Sequence, residues 1–299
     1  IMQESPLQGD PVPSPESIWS ITFTSGTTGT PKGAFFTHKK VATSLISPHY
    51  DYWLNMKEGM ELRFFSFLPL NHLAERGLFV ASIGKGAEVF YTENLETFGQ
   101  NLRDARPTCF FAVPRIWTKF KQGILSKVPQ EQLDSLLDNP NTKPAIQQQL
   151  KEGLGLDKAT IVLTGAAPMS KYDVEWWLKL GMPLSDAYGQ TENFAIASYS
   201  PVGKLKPGAV GIAHPFLELK IDPDSEELLV KSPLLMDGYY KDPEKTAETI
   251  QDGWLYSGDA AKIDEDGYLY ITGRVKDTFK TEKGQFIVPA KVENQYAAN

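Results

Sequence analysis

Disulfides, basic surfaces and long apolar runs are what this sequence lacks. Cys109 is the one cysteine among 299 residues, so no disulfide can form within the chain. It stands in the apolar run TCFFAVP, which favours a buried thiol over a reactive one. A chain without internal disulfides fits a reducing compartment, and we expect a cytoplasmic location.

The charge balance and the hydropathy argue against two further classes of partner. Asp and Glu outnumber Lys and Arg by 37 to 30, and the formal net charge is −7. Nucleic-acid binding needs clustered basic residues, and the sequence has no basic stripe, so no nucleic-acid partner is expected. No apolar run approaches the roughly 18 residues of a transmembrane helix. We therefore expect no transmembrane segment, while peripheral contact with a membrane stays open.

Short apolar segments alternate with amphipathic ones along the first two thirds of the chain. Strands are predicted at SIWSITF and GAFF, on either side of a glycine-rich stretch, and at LRFFSFLP, GAEVFYT, TCFFAVP and TIVLTG. Thr37 can cap a helix that runs toward Pro48, and SKYDVEWWLKLG predicts a helix between Ser170 and Gly181. The stretch 129–152 is expected to form surface helices. This alternation predicts an α/β fold with layered, largely parallel sheets.

After about residue 200 the pattern changes. FLELKID, ELLVKS, AAKID and GYLYITG are short apolar segments separated by Pro, Gly and Asp, which predicts a β-rich subdomain. We expect three parts: an α/β part over 1–199, the β-rich subdomain over 200–272, and the start of a further domain over 273–299. The chain begins with Ile1 in a polar, proline-rich segment and ends at ENQYAAN, and we expect it to be a piece of a longer protein.

Residues 22–33 read TFTSGTTGTPKG and place hydroxyl side chains and glycines directly before Lys32. The pattern differs from the loop G-x-x-x-x-G-K-[ST], because Pro31 stands where the second glycine is required and Gly33 follows the lysine. Accessible backbone N–H groups, hydroxyl donors and a lysine can nevertheless hold a polyphosphate together. The alternative is a flexible linker, but linkers rarely lie between two apolar strands. We therefore predict a phosphate-binding loop.

Four stretches together point to a known family. FTSGTTGTPKG resembles the signature loop of the adenylate-forming superfamily, which includes acyl-CoA synthetases, adenylation domains of peptide synthetases, and luciferases. DAYGQTE at 186–192, DGWLYSGD at 252–259 and GRVKDTFKTEKGQFIVPAKVEN at 273–294 resemble its later motifs, in the family's order and approximate spacing. The resemblance covers nearly the whole chain. It implies the core of the large N-terminal domain of the adenylate-forming fold, followed by the interdomain hinge.

Enzymes of this superfamily join a carboxylate to the α-phosphate of ATP, release pyrophosphate, and usually pass the acyl group to a thiol. The resemblance therefore implies ATP, Mg²⁺ and CoA as cofactors and co-substrates. It assigns the β- and γ-phosphates to residues of the glycine-rich stretch, namely Thr24, Ser25, Gly26, Thr27, Thr28, Gly29 and Lys32.

The motif DAYGQTE carries the implied adenine and metal contacts. By resemblance, Tyr188 gives an aromatic face to adenine, Asp186 accepts a hydrogen bond from its amino group, and Thr191 donates to the α-phosphate. Glu192 is the implied Mg²⁺ ligand, a role that suits a carboxylate beside phosphate oxygens. Outside this motif, Glu192 would be interpreted as a solvated surface acid. Gln190 stands at a variable position, where the family often has Leu or Pro.

The ribose and the edge of the adenine site are assigned to three other stretches. TGAAP at 164–168 resembles the loop beside adenine, where Gly165 and Ala166 let the backbone approach the ligand. Asp259 matches the carboxylate that accepts both ribose hydroxyls. Arg274 would reach the same ribose or the phosphate, although by itself it could equally form a surface ion pair.

The last implied positions concern the acyl group and the hinge. LPLNHLAER resembles the segment with the family's histidine near the carboxylate substrate, which makes His72 a candidate, although a histidine beside apolar residues is often structural. Lys276 falls at the hinge, and Gly284 falls in the loop that lines the pantetheine tunnel. The family's adenylation lysine lies in a domain beyond the hinge, and nothing after Lys276 matches it. We therefore expect the chain by itself to be at best a slow adenylating fragment.

Within the superfamily, LPLNHLAER and FKTEKGQFIVPAKVEN look most like long-chain fatty acyl-CoA synthetases. The implied function is ATP-dependent activation of a fatty acid to an acyl-adenylate, followed by thioester formation with CoA. A fatty acyl-AMP ligase that serves a carrier protein is the nearest alternative enzyme. A non-catalytic nucleotide-binding fragment is the alternative from a different class.

Overall fold

The computed structural model describes residues 12–24, 31–45, 60–201, 203–277, 279–280 and 286–287. The helices within these ranges are α1 (His38–Leu45), α2 (Leu73–Gly84), α3 (Phe98–Ala105), α4 (Pro114–Leu125), α5 (Gln130–Asp138), α6 (Lys143–Leu154), α7 (Lys171–Lys179) and α8 (Pro243–Thr249). Among these described helices, none has the length and apolar character that a membrane crossing requires.

The strands in the described ranges are β1 (Ile18–Thr24), β2 (Lys32–Thr37), β3 (Arg63–Ser66), β4 (Glu88–Tyr91), β5 (Cys109–Ala112), β6 (Ile161–Thr164), β7 (Leu184–Tyr188), β8 (Ser198–Tyr199), β9 (Ile212–Ala213), β10 (Glu218–Ile221), β11 (Glu227–Lys231), β12 (Gly238–Tyr239), β13 (Ile250–Gln251), β14 (Trp254–Ile263), β15 (Leu269–Arg274), β16 (Phe279–Lys280) and β17 (Phe286–Ile287). Short 3-10 helices lie at Thr191–Asn193 and Val275–Asp277.

The largest sheet has seven strands in the order β4-β3-β5-β6-β7-β8-β9. Its strands from β4 to β7 pair in parallel, whereas β8 and β9 add antiparallel pairs at one edge. Helices α2, α3 and α7 each connect two of the parallel strands along the chain. Every residue of β6 is buried, as expected for a central strand of a parallel sheet. The predicted α/β fold with a largely parallel sheet is confirmed.

Local sequence determines where the helices begin and end. The Ser170 hydroxyl accepts a hydrogen bond from the backbone N–H of Asp173 at 3.1 Å, which caps α7. Gly181 follows the end of α7 with a φ of +74°, a conformation that glycine adopts readily. Both features were predicted from the sequence. Thr37 Oγ1 likewise accepts from the N–H of Lys40, at 3.4 Å, at the start of α1.

Aromatic side chains fill much of the core beside the large sheet. Trp117 is fully buried, and its Nε1 donates to the carbonyl oxygen of Ala112 at 3.2 Å. Its ring meets Phe110 and Trp177 edge-on, with centroids 5.5 and 5.1 Å apart. Such edge-to-face pairs each contribute about 1 kcal/mol beyond simple burial.

Two sequence interpretations can be checked against this core. Cys109 is buried, as predicted, and burial raises the pKa of its thiol to about 12. The stretch 129–152 does form helices, α5 and most of α6. However, Leu133 and Leu137 of α5 are buried in the aromatic core, so that helix packs one face inward rather than lying only at the surface.

A three-stranded sheet, β1-β2-β12, holds the two ends of the glycine-rich stretch together. β1 and β2 are antiparallel, and Thr24 lies opposite Lys32 at the end of their ladder. β12 pairs with the other edge of β2, with Tyr239 opposite Ala34. This pairing brings a segment more than 200 residues later in the chain beside the strand that begins at Lys32.

The second half of the chain forms a sheet of five antiparallel strands, β10, β11, β13, β14 and β15, as expected from the strand-rich pattern after residue 200. One predicted boundary was wrong. AAKID is not a separate short strand, because β14 runs without a break from Trp254 to Ile263. The polar residues Ser257 and Asp259 interrupt the apolar pattern in the sequence, yet both are buried in this strand. The division into three parts stays a prediction.

Candidate active site

A buried carboxylate joins the second and third sequence motifs. Asp259 is only 5% exposed, and its Oδ2 accepts hydrogen bonds from Tyr188 Oη at 2.6 Å and from Gln190 Nε2 at 2.7 Å. Its Oδ1 lies 3.0 Å from Arg274 Nε. Three donors from two distant parts of the chain therefore converge on one carboxylate.

The register of β14 and β15 sets the ion pair in this cluster. Asp259 and Arg274 are opposite one another in the antiparallel ladder. Burial raises the pKa of Asp259, while the hydrogen bond from Tyr188, the charge of Arg274 and the hydrogen bond from Gln190 act in the opposite direction. Burial and the nearby Asp259 carboxylate also raise the pKa of Tyr188, so its hydroxyl remains a donor.

A second contact group links Glu192 to the strand after the glycine-rich stretch. Tyr239 Oη donates to Glu192 Oε1 at 2.6 Å, and the N–H of Met236 donates to the backbone carbonyl of Glu192 at 2.7 Å. Lys32 Nζ lies 5.7 Å from the centroid of the Tyr239 ring. Burial, followed by the negative charge of Glu192, raises the pKa of Tyr239. The aromatic ring thus stands between the lysine of the first motif and the acid of the second.

The carboxyl ends of β6 and β7 carry the residues predicted for the adenine side. Ligands of parallel α/β sheets commonly bind at this edge. A Cβ on Gly165 would lie 2.8 Å from the carbonyl oxygen of Ala187, so only glycine fits against β7 there. Ala166 adopts a φ of +66°, which is uncommon for a residue with a side chain. Among the described residues, the buried Thr164 hydroxyl has no hydrogen-bond partner.

Asp186 is the titratable group at this edge. Burial raises its pKa to about 7, and the backbone amides of Ala187 and Met169 act in the opposite direction. Near neutral pH the carboxyl group therefore exists in both protonation states. A ligand amino group that donates to it would favour the ionised form.

The turn after Tyr188 is tightly packed and explains one glycine of the motif. A Cβ on Gly189 would lie 2.1 Å from the carbonyl carbon of Ala195 and 2.6 Å from the backbone nitrogen of Ile196. Because these neighbours are backbone atoms, they cannot rotate away. The turn is closed by the Ala195 N–H, which donates to the carbonyl of Gln190 at 2.7 Å.

The chain also matches the model of a known family. The model of the family described as "AMP-binding enzyme" matches residues 2–240. This chain belongs to the AMP-binding enzyme family. Similar proteins include a Mycobacterium tuberculosis protein named as a fatty-acid–CoA ligase (fadD11), which is 34% identical over 95% of this chain and 54% of its own length. Human "Long-chain-fatty-acid–CoA ligase 1" is 33% identical over 95% of this chain and 45% of its own length.

Two solved structures share the fold. The adenylation domain of a carboxylate reductase from Mycobacterium chelonae superposes with a TM-score of 0.75 at 25% identity, covering 98% of this chain and 46% of that one. O-succinylbenzoate coenzyme A synthetase from Bacillus subtilis, in complex with AMP, gives a TM-score of 0.74 at 23% identity, covering 96% and 55%. The expected adenylate-forming fold is therefore confirmed. The chain spans about half the length of the relatives it matches.

Not every predicted site residue joins these clusters. His72 is exposed at the start of α2, and its side chain does not cap that helix. Among the described residues, no hydrogen bond connects its side chain to the Asp259 or Glu192 groups. Thr191 begins the 3-10 helix beside Glu192. The other candidates, Ser25, Gly26, Thr27, Thr28, Gly29 and Gly284, lie outside the described residues, and their roles stay predictions.

Two contacts were missed by the sequence interpretation. Gln190 was assigned to a variable position, yet its amide contacts the predicted ribose carboxylate. Tyr239 carries no motif signal, and only the pairing of β12 with β2 reveals its contact with Glu192. A polar residue inside an otherwise recognised motif is the one signal that could have indicated Gln190.

The residues fit a nucleotide better than they fit an isolated metal ion. At the adenine-side edge, Thr164 has a buried hydroxyl that lacks a hydrogen-bond partner among the described residues, and Gly165 packs where no side chain would fit. No group of three or more potential metal ligands occurs in the part of the chain that the structure describes. Mg²⁺ commonly binds through one or two carboxylates together with substrate phosphates, and Glu192 fits that arrangement.

Replacing Gly189 tests the packing of the motif turn. Gly189→Ala should lower the free energy of unfolding by about 3 kcal/mol, because its Cβ would overlap the backbone at Ala195. Gly123→Ala is the control, since no atom lies within 4 Å of a Cβ at that exposed helical position. That change should stabilise by roughly 0.5–1 kcal/mol. Urea denaturation of both variants checks the pair, and equal stabilities would refute the steric account.

The raised pKa of Asp186 predicts a pH-dependent stability. The folded protein holds this proton up to about pH 7, whereas the unfolded chain releases it near 3.8. The stability contributed by the protonated group should therefore fall as the pH rises from about 4 to about 7, by up to about 1.4 kcal/mol per pH unit. Asp186→Asn should remove this slope.

Asp264→Asn is the control for that measurement. Its carboxyl group accepts from Lys206, which lowers its pKa to about 2, so it does not titrate between pH 4 and 7. Thermal or urea unfolding across this pH range would compare the three proteins. If Asp186→Asn left the slope unchanged, the assignment of a raised pKa to Asp186 would be wrong.

Proposed function

We propose that this chain is part of an enzyme that activates a fatty acid with ATP, forms an acyl-adenylate and pyrophosphate, and then transfers the acyl group to CoA. The observation that carries the proposal is the convergence of Tyr188, Gln190 and Arg274 on the buried carboxylate of Asp259. The ribose of a nucleotide carries two neighbouring hydroxyl groups, and a fixed carboxylate can accept a hydrogen bond from each of them. This arrangement supports a nucleotide site that spans the second and third motifs.

In the proposed site, each group acts on a different part of ATP. Asp186 accepts from the adenine amino group beside Tyr188, while Asp259 and Arg274 hold the ribose. Thr191 donates to the α-phosphate, and Lys32 neutralises charge on the pyrophosphate that leaves. Stabilising charge that develops during the reaction is commonly a large catalytic contribution.

The metal role belongs to Glu192, whose carboxylate is oriented by Tyr239 Oη at 2.6 Å. A bound Mg²⁺ would neutralise phosphate oxygens and favour the departure of pyrophosphate. Gly165 and Ala166 would let the backbone approach adenine, and the glycine-rich stretch would contact the β- and γ-phosphates. His72 near the carboxylate substrate and Gly284 near the pantetheine arm of CoA complete the proposal.

The substrate class rests on similarity. Relatives from human and guinea pig are named long-chain-fatty-acid–CoA ligases. The names support a long-chain fatty acid here, and CoA as acceptor. A cytoplasmic location stays a prediction, because two Arabidopsis relatives are named as peroxisomal.

Pyrophosphate exchange tests the proposed reaction. With ATP, Mg²⁺ and labelled pyrophosphate, the full-length protein should exchange label much faster with palmitate than with acetate, an aryl acid or an amino acid. A clear preference for one of the latter would overturn the fatty-acid assignment. Thioester formation with CoA, compared with an acyl carrier protein, distinguishes the ligase from the carrier-dependent alternative. ATP binding without any exchange would favour the non-catalytic nucleotide-binding alternative.

The metal assignment predicts a change in Mg²⁺ dependence. Glu192→Gln should raise the Mg²⁺ concentration for half-maximal exchange by more than tenfold. Tyr239→Phe should raise it by about tenfold, because it removes the hydrogen bond that orients the carboxylate. Glu175→Gln, an exposed residue on α7, should leave it unchanged. Wild-type Mg²⁺ dependence in Glu192→Gln would rule this assignment out.

A further inference from the structure

Gln190 makes a contact that its position in the motif does not predict. Its Nε2 donates to Asp259 Oδ2 at 2.7 Å and to the carbonyl oxygen of Ser257 at 2.9 Å. An amide nitrogen has two hydrogens, so both donors are used. Both partners are acceptors, which fixes the orientation of the amide with nitrogen toward β14.

The backbone of Gln190 is held as firmly as its side chain. Its N–H donates to Asn193 Oδ1 at 2.8 Å, and its carbonyl accepts from the N–H of Asn193 at 3.2 Å and of Ala195 at 2.7 Å. Asn193 itself is fully buried. The amide therefore reaches Asp259 from a fixed base, which a flexible surface glutamine would lack.

The acceptor capacity of Asp259 shows what this contact does. A carboxylate has about four lone-pair positions, and Oδ2 already accepts from Tyr188 and Gln190. Oδ1 faces Arg274, whose side chain is 51% exposed. A ribose diol can approach from the Oδ1 side, next to the half-exposed Arg274, because the two donors on Oδ2 keep the carboxylate plane from turning.

We propose that Gln190 is a positioning residue for nucleotide recognition, which orients the Asp259 carboxylate so that it can accept the ribose hydroxyls. This inference rests on the proposed function, in which Asp259 binds ribose. Leucine and proline, which the resembled motif often carries at this position, cannot donate to the carboxylate. The glutamine thus adds a second donor to Oδ2 in this chain.

The test compares nucleotides that differ in one ribose hydroxyl. Gln190→Met removes the donors at nearly constant side-chain length, and Gln190→Leu is a second variant in case the first folds poorly. Gln147→Met is the matched control. Gln147 lies on α6, outside the site, and its Nε2 also donates to a backbone carbonyl, that of Lys179 at 2.9 Å. Calorimetry on the full chain gives the Kd of ATP, 2′-deoxy-ATP and 3′-deoxy-ATP, and thermal unfolding gives the Tm of each variant.

Loss of the orienting bond should act on ribose recognition. In the Gln190 variants, ATP should bind about tenfold more weakly, as expected for a hydrogen bond to a charged group. The deoxy nucleotides should lose less than about twofold, so the preference for ATP falls. Gln147→Met should keep the wild-type preference even if its Tm decreases.

Two other results overturn the inference in different ways. Equal weakening of all three nucleotides, or an unchanged preference for ATP in both Gln190 variants, would show that Gln190 does not position the carboxylate, while the proposed function stands. If the wild-type chain bound ATP without preference over the deoxy nucleotides, or did not bind ATP, the ribose assignment of Asp259 would fail and this inference with it.

Discussion

The arrangement of the site depends on the interactions of the buried Asp259 carboxylate with its donors. A buried charge without partners costs several kcal/mol, so the fold must supply donors. It supplies Tyr188 and Gln190 from the end of β7 and the turn after it, and Arg274 from β15. The Asp259 carboxylate therefore connects the end of the parallel sheet to the antiparallel sheet.

The same constraint explains why the turn between Tyr188 and Glu192 is so compact. Gly189 must pass within backbone contact of Ala195 for the following residues to reverse direction. The reversal leaves Gln190 facing Asp259 on β14 and Glu192 facing Tyr239 on β12. One short turn thus contacts two different sheets, and a change in its backbone would disturb both contacts.

Much of this could be predicted from the sequence, because the signals are local. Ser170 and Gly181 mark the ends of α7, and the apolar runs predict the parallel strands. The contact between Tyr239 and Glu192 could not be predicted, since it depends on the pairing of β12 with β2, which lie more than 200 residues apart in the chain. Burial of Ser257 and Asp259 in β14 was also missed, because a polar residue in a strand is interpreted as exposed until its partners are known.

Motif resemblance pointed to residues that local sequence signals do not indicate. It indicated Asp259, Arg274 and Glu192 without any knowledge of their contacts, and the structure places donors or acceptors on each of them. It did not indicate Gln190, because a variable motif position carries no shared signal. The contact of Gln190 with Asp259 is visible only in the structure.

A crystal structure of the protein with AMP tests the central claim most directly. The account predicts the adenine amino group within hydrogen-bond distance of Asp186 and both ribose hydroxyls within hydrogen-bond distance of Asp259. Tyr188 and Gln190 should still donate to Oδ2 of Asp259. AMP bound elsewhere, or bound with its ribose away from an Asp259 carboxylate, would contradict it.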